Sequence, residues 1–433
     1  MKGNLVLFWL EEKVALCYGR DTIVLAAETY PLDYPETLPE IINGFLHANG
    51  ISAPDIEKIL VVADLTVLLQ KRLKEDFSFG YFRITPAAFE YPPVNSLLKE
   101  SSVELHYFNL PLPDHPEYTL QMQLALKSIS NLPIKHIAIN STLSLIEPAG
   151  EKRLIEEGEK LYPGRFIYYP SYNYSTANFL LRENVLLINL ILSEPVELFF
   201  SWLSNSFKHC SVSAPIYFLK GDGTLTSSRT VKINPLLTWQ SQFASYAMGG
   251  SRWTSEGDSI IAAQNGEDIC LGLTENYLPK TAGGINSFWG LEIPGKYPIT
   301  TRLKKRNGHK KWEKTLDKIN PFPGTVPIIS FVPSISTSPV FRYPLVTIPD
   351  EPCVWAVGVL TAPYRMEIEK VVFFSQSYQF QVEKQGLLDI ALYQLNREGV
   401  HLSDISHRFE ELSLRYLPQN AYLLRLTISG NLL

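Results

Sequence analysis

DSIIAAQNGEDICLGL, from Asp258 to Leu273, decides how the rest of the chain is read. An apolar run, Ile260 to Ala263, leads into a short polar turn, and a second apolar run begins at Ile269. Apolar runs of this length on both sides of a polar turn predict a strand–turn–strand unit. Such a hairpin cradles phosphate when consecutive Gly and Thr line its turn, because bare backbone N–H groups and hydroxyls then reach the phosphate oxygens. Here the turn is Gln264-Asn265-Gly266-Glu267-Asp268, with one glycine, no threonine and two carboxylates. Carboxylates repel phosphate unless a metal intervenes. The stretch has the shape of a phosphate hairpin without its donors.

The whole chain, 433 residues with 45% apolar and 12% aromatic content, is long enough for two or three lobes with large cores. A net charge of −5 gives no general drive toward nucleic acid or anionic membranes. Cys17, Cys210, Cys270 and Cys353 are widely spaced, which fits reduced thiols in a cytoplasmic protein and neither a zinc site nor a disulfide framework. The opening MKGNLVLFWLEEK reads as a first strand and not as a signal peptide, since Glu11, Glu12 and Lys13 cut the apolar run short. The run Val185–Leu192 is too short to span a bilayer.

Strands are expected at Leu5–Leu10, Val14–Cys17, Thr22–Ala27 and Ile59–Ala63, with a helix over Leu38–Asn49 ending at Gly50. The proline-dotted segment Pro86–Pro116 reads as a boundary, dividing an N-terminal α/β lobe (1–115) from a second lobe (116–433). Within the second lobe, helices are expected at Thr119–Ser130, Pro148–Leu161, Phe179–Ile191 and Pro195–Phe207, and a strand at Pro215–Leu219. Residues 274–323 read as loops with a short helix, and 324–433 as strand, helix, strand, helix, strand. No internal repeat is evident.

Several phrases occur in one order along the chain: FLLRENVLLIN (Phe179–Asn189), APIYFLKGDGTLTS (Ala214–Ser227), SQFASYAMGG (Ser241–Gly250), VWAVGVLTAP (Val354–Pro363) and LRYLPQNAYLLRLTISGNL (Leu414–Leu432). As an ordered set they resemble the hydantoinase/oxoprolinase A family. The resemblance implies an α/β fold of the actin-like ATPase (ribonuclease H-like) type, two lobes with mixed sheets flanked by helices. It also implies ATP- and magnesium-dependent hydrolysis of a cyclic amide such as a hydantoin or 5-oxoproline, and work alongside a second, larger subunit.

The chain departs from that pattern at the nucleotide loops. The family's first phosphate loop, Asp-x-Gly-Gly-Thr-x-Thr-Asp, falls on Leu7–Val14, LFWLEEKV, which places Trp9 and Leu10 at the closest-approach glycines. Of the second loop only the last aspartate survives, as Asp268. The glycine-rich adenosine turn falls on Val332-Pro333-Ser334-Ile335, and a Gly-Thr-Thr before the next helix becomes Asp64-Leu65-Thr66. Loss of one electrostatic donor alone costs on the order of 10²–10³ in rate.

The candidate site residues each carry two readings. Asp222 with Gly223 is either a remnant magnesium, substrate or cofactor contact or an Asp-Gly turn, the turn being preferred. Gly249, Gly250 and Asp268 are the remaining cofactor-binding candidates, and Asp258 with Asp268 is a candidate metal pair, against solvated carboxylates at strand ends. Arg182, Glu183 and Asn189 border a substrate cleft or form a buried polar network. The basic stretch Arg302–Lys318 reads as a solvated face before a nucleic-acid site, and the aromatic loop Tyr168–Tyr174 as a contact surface or pocket lining. His209 beside Cys210 reads as structural.

The expectation is a family member that has lost ATP-dependent ring opening, needs no cofactor, and acts as a binding or non-catalytic subunit. Its partner would be a second subunit or another copy of the chain, with a small-molecule ligand as a further class. The alternative is a working ATP- and magnesium-dependent hydrolase.

Overall fold

Leu5 and Leu7 feed one hydrophobic core and Val6 and Phe8 another, because successive strand residues point to opposite faces. The same division continues through Val14/Leu16 against Ala15/Cys17 and through Ile59/Val61 against Leu60/Val62. Strands that are apolar at every position are what a sheet covered on both faces demands. The computed structural model describes residues 2–32, 34–86, 101–174, 176–265, 268–304, 309–319, 326–332, 344–373, 377–414 and 421–433.

The first sheet has nine strands. Gly3–Trp9, Lys13–Arg20 and Ile23–Pro31 run antiparallel, Ile56–Val62 lies parallel to the first, and Ile216–Leu219 parallel to Ile56–Val62. The second sheet repeats this plan. Ser259–Asn265, Asp268–Glu275 and Thr300–Lys304 run antiparallel, and Ile328–Ser330 and then Leu345–Thr347 follow in parallel beside the first. Both have the order 3-2-1-4-5, the ribonuclease H-like arrangement, so the duplication that the sequence hides is plain in the topology.

Two features correct the expected division. The parallel sheet Val103–Leu110, Phe77–Ile84, His136–Ser141, Ile167–Pro170 takes strands from both sides of residue 115, and Val103–Leu110 lies within the segment read as a boundary. The strands Tyr364–Phe373, Ala421–Leu432 and Leu402–Ser413 extend the first sheet, so the end of the chain returns to the first lobe. Ile23–Pro31 and Leu402–Ser413 are its outermost strands.

The helix Phe179–His209 runs unbroken through Pro195, where the sequence predicts two helices. Asn178 caps it by accepting from the N–H groups of Leu180 and Leu181 at 3.0 and 3.1 Å. Its residues from Leu186 to Leu192 are almost wholly enclosed, each large apolar side chain contributing about 1.5–3 kcal/mol. By length and composition this helix is apolar enough to cross a membrane, and here it forms the inner wall of the first core. On the other face of the sheet, Ser241–Thr254 crosses Pro352–Leu360.

Candidate functional site

The parallel strands Gly3–Trp9, Ile56–Val62 and Ile216–Leu219 all end at one edge of the first sheet, the edge at which sheets of this kind bind ligands. The segments that follow them are the first hairpin turn, Asp64-Leu65-Thr66, and Lys220–Thr224. Their side chains stand at this edge of the sheet.

At the first turn the chain closes on itself. The Leu10 N–H donates to the Lys13 carbonyl at 2.9 Å and the Glu12 N–H to the Leu10 carbonyl at 2.8 Å. Glu11 between them has φ of 61°, a left-handed conformation that usually selects glycine. The Trp9 ring turns away from the turn and packs on Phe199 with centroids 5.0 Å apart. The Trp9 carbonyl instead accepts from the Gln242 side-chain amide at 3.0 Å. Two of the amides that a phosphate would need are thus already committed.

Asp64 ties the second segment to the start of Ser241–Thr254. Its carboxylate accepts from the Thr66 N–H at 3.1 Å, the Thr66 hydroxyl at 2.6 Å and the Gln240 N–H at 2.9 Å. Gln240 is itself left-handed, with φ of 63°. Enclosure pushes the Asp64 carboxyl above its ordinary value although these hydrogen bonds oppose the rise, and Glu11 adds to it.

The third segment is the turn expected for Asp222-Gly223. The Lys220 N–H donates to the Thr224 carbonyl at 2.8 Å, Gly223 has φ of +80°, and Asp222 accepts from the Thr224 N–H and hydroxyl at 3.0 and 2.6 Å. Asp222 is 7% exposed and lies 3.5 Å from Lys220 and 3.6 Å from Arg365. It borders a cavity of about 780 Å³ reached by Lys220, Arg365, Lys296 and Glu367. The buried Tyr297 lines the same cavity, its hydroxyl pushed up by burial and then by Asp222 and Asp64. A recess of about 500 Å³ lies between Trp239–Gln240 and Thr300–Arg302.

Other predicted site residues stand elsewhere. A Cβ on Gly249 would meet the Val354 carbonyl at 2.4 Å, and one on Gly250 the Phe331 ring at 3.1 Å. These glycines let two helices cross and the helix approach the second sheet. Asp258 caps a turn by accepting from the Asn276 N–H at 2.9 Å, at the far end of the hairpin from Asp268. Asp268 pairs with Asn265, so the two carboxylates are separated by the length of a seven-residue strand, roughly 23 Å. They do not form a metal pair.

Arg182, Glu183 and Asn189 are buried in polar contacts, and none of the three lines either cavity described above. Arg182 donates to the Asn140 and Ser171 side chains and to the carbonyls of Ser141 and Thr176. Glu183 receives Arg83 through two hydrogen bonds of 2.7 Å and the Tyr81 hydroxyl at 2.6 Å. Asn189 bridges Asn234 and the Leu236 N–H. Of the stretch read as an aromatic loop, Tyr168–Pro170 belongs to the strand Ile167–Pro170, while Tyr172 and the buried Tyr174 line the large cavity. In the basic stretch, Trp312 and Leu316 are packed in a core while Arg302, Lys304, Lys314 and Lys318 are exposed. Cys210 donates to the Pro39 carbonyl at 3.3 Å, a structural use.

The donor set decides how well ATP and magnesium fit. Among the described residues no group of three or more His, Cys, Asp or Glu side chains could hold a metal ion. The first turn has its Leu10 and Glu12 amides committed and both its acids exposed. Gly266 and Glu267 of the second turn and Pro333–Ile335 of the adenosine turn lie outside the described residues. Sequence reasoning missed Lys220, Arg365, Gln240 and Tyr297, which have no local signature.

No protein-family model matches the sequence, and no curated protein does. Among solved structures, the chain is similar to an ATP-dependent caprolactamase from Pseudomonas jessenii, with a TM-score of 0.71 and 10% identity over 98% of this chain and 87% of that one. It is also similar to acetone carboxylase in a nucleotide-free structure from work on ATP-dependent acetone carboxylation, with a TM-score of 0.69 and 10% identity over 99% and 88% of the two chains. The likeness extends over nearly the whole chain and establishes the actin-like ATPase fold that the sequence phrases imply.

Proposed function

We propose that this chain is a divergent member of the hydantoinase/oxoprolinase A family that has given up ATP-dependent ring opening and serves as a binding or non-catalytic subunit. The ordered phrases and the fold shared with two ATP-dependent enzymes support the descent. The observation that carries the loss of activity is the first hairpin, whose Leu10 and Glu12 amides are spent inside the turn. A phosphate approaching it would meet the exposed carboxylates of Glu11 and Glu12, with those two amides already bonded. The four unpaired thiols fit a reducing, cytoplasmic setting.

Thermal shift with Mg-ATP and a non-hydrolysable analogue tests this reading. A ligand at 100 times its Kd adds about 2.7 kcal/mol of stability. The expected result is no shift at millimolar nucleotide. A clear shift overturns the proposal in favour of magnesium- and ATP-assisted hydrolysis of a cyclic amide. Native mass measurement of the protein isolated from its source tests the subunit role: a stoichiometric second chain supports it, and a lone monomer removes it.

A further inference from the structure

The cavity beside Asp222 is lined by six cations, Lys220, Arg229, Lys296, Arg365, Arg397 and Arg425, against the four acids Asp222, Glu367, Glu369 and Glu398. Glu367 receives Lys296 at 2.6 Å, Glu369 receives Arg425 at 2.6 Å, and Glu398 accepts from the hydroxyls of Ser227 and Thr230. Lys220 and Arg365 share the single carboxylate of Asp222 at 3.5 and 3.6 Å, longer than direct hydrogen bonds, and the Lys220 ammonium also donates to the Arg365 carbonyl at 3.3 Å. The Arg365 Nε has no acceptor among the described residues. Arg229 and Arg397 stand exposed on the lining and enter no ion pair among the described residues. The balance of charge on the lining is therefore positive.

Size and lining narrow the ligand further. A volume of about 780 Å³ far exceeds an inorganic ion and falls in the range of small-molecule sites. Leu181, Val185 and Leu236 supply apolar wall from the central helix and the turn that faces it. We propose that this cavity binds a small organic acid, with its oxyanion held by Lys220 and Arg365 and its hydrocarbon body against Leu181, Val185 and Leu236. Lys220 is 8% exposed, so the oxyanion would meet a cation shielded from bulk water, where the attraction is strongest. A guanidinium presents paired donors that match a carboxylate or phosphate head. This inference goes beyond the loss of nucleotide chemistry and does not rest on it.

Titration calorimetry of the full chain with hexanoate and hexyl phosphate tests it, with acetate and inorganic phosphate as size controls. One or both of the longer acids should bind, the tighter identifying the head group, and the affinity should fall as salt is raised. Arg365→Gln should weaken binding about tenfold, the loss of one charge-assisted hydrogen bond. Should that variant fail to fold, the exposed pair Arg229→Ser with Arg397→Ser should still weaken it severalfold. Absence of binding by both long acids overturns the proposal. So does binding of acetate or phosphate as tight as that of the long acids, or folded variants that bind like the parent. Because no nucleotide is present, a negative result here leaves the thermal-shift test of the hairpin untouched.

Discussion

Burial drives the Asp222 carboxyl upward, yet Lys220, Arg365 and the two donors of Thr224 hold it below its ordinary value. A pKa lower in the folded than in the unfolded chain means that ionised Asp222 stabilises the fold at every pH above the ordinary value. That contribution is lost as the pH falls through the ordinary value toward the lowered one. Asp222→Asn should therefore lower the urea midpoint at neutral pH, and the gap from the parent should narrow below about pH 4. A gap independent of pH would assign the effect to the Thr224 hydrogen bonds alone. Glu183 offers a second residue-scale test. Glu183→Ala leaves the buried Arg83 without its carboxylate, and breaking a buried pair from one side costs about 3–5 kcal/mol, to be read from denaturant melts. That Arg182 and Asn189 share one helix face was legible from their seven-residue spacing. Burial was one of two readings left open there, and the choice needed the strands Phe77–Ile84 and His136–Ser141, set by distant sequence, whose side chains pair with Arg182 and Glu183. Asp258 and Asp268 failed as a pair for a simpler reason: a hairpin brings its two strands together and sends residues flanking one strand to opposite ends.

Elements were read well where hydrophobic pattern governs and poorly where it does not. Ile59–Ala63 and the hairpin before it are apolar at each position and were found. Leu402–Ser413 was missed because LSDISHRFEELS is an outer strand with little to bury. Pro195 misled for a general reason, since proline removes one helical hydrogen bond but a tightly packed helix tolerates the loss. The helix crossing at Gly249 gives a direct test. Gly249→Ala should destabilise by about 1–3 kcal/mol or more, since its methyl would press on the Val354 carbonyl. Gly44→Ala, on the helix Leu38–Ala48 with open space around it, should instead gain about 0.4–1 kcal/mol. Equal melting temperatures for the two variants would contradict the packing described.

At the scale of the molecule, the repeated strand order and the cavity were both invisible in the sequence. Topology repeats without residues repeating, and the cavity draws on segments as far apart as Tyr172, Lys220, Lys296, Arg365 and Arg425. The four-stranded parallel unit is held to the central helix by the Arg182 and Glu183 networks, so the parent should melt in one calorimetric transition. Glu183→Gln should broaden or split it, and an unchanged single transition would show that apolar contact alone couples the two.

The outer strand Leu402–Ser413 carries one more implication. A bulge between Ser403 and Ser406, with Asp404 left-handed, interrupts its register, and Asp404, Arg408, Glu410 and Glu411 punctuate its length. Charges and a kink of this kind act as gatekeepers against cross-chain pairing. Without them the nine-stranded sheet would offer neighbouring molecules a template for fibril growth, so a variant with Arg408 and Glu411 replaced by threonine should seed thioflavin-positive aggregates under conditions where the parent stays clear.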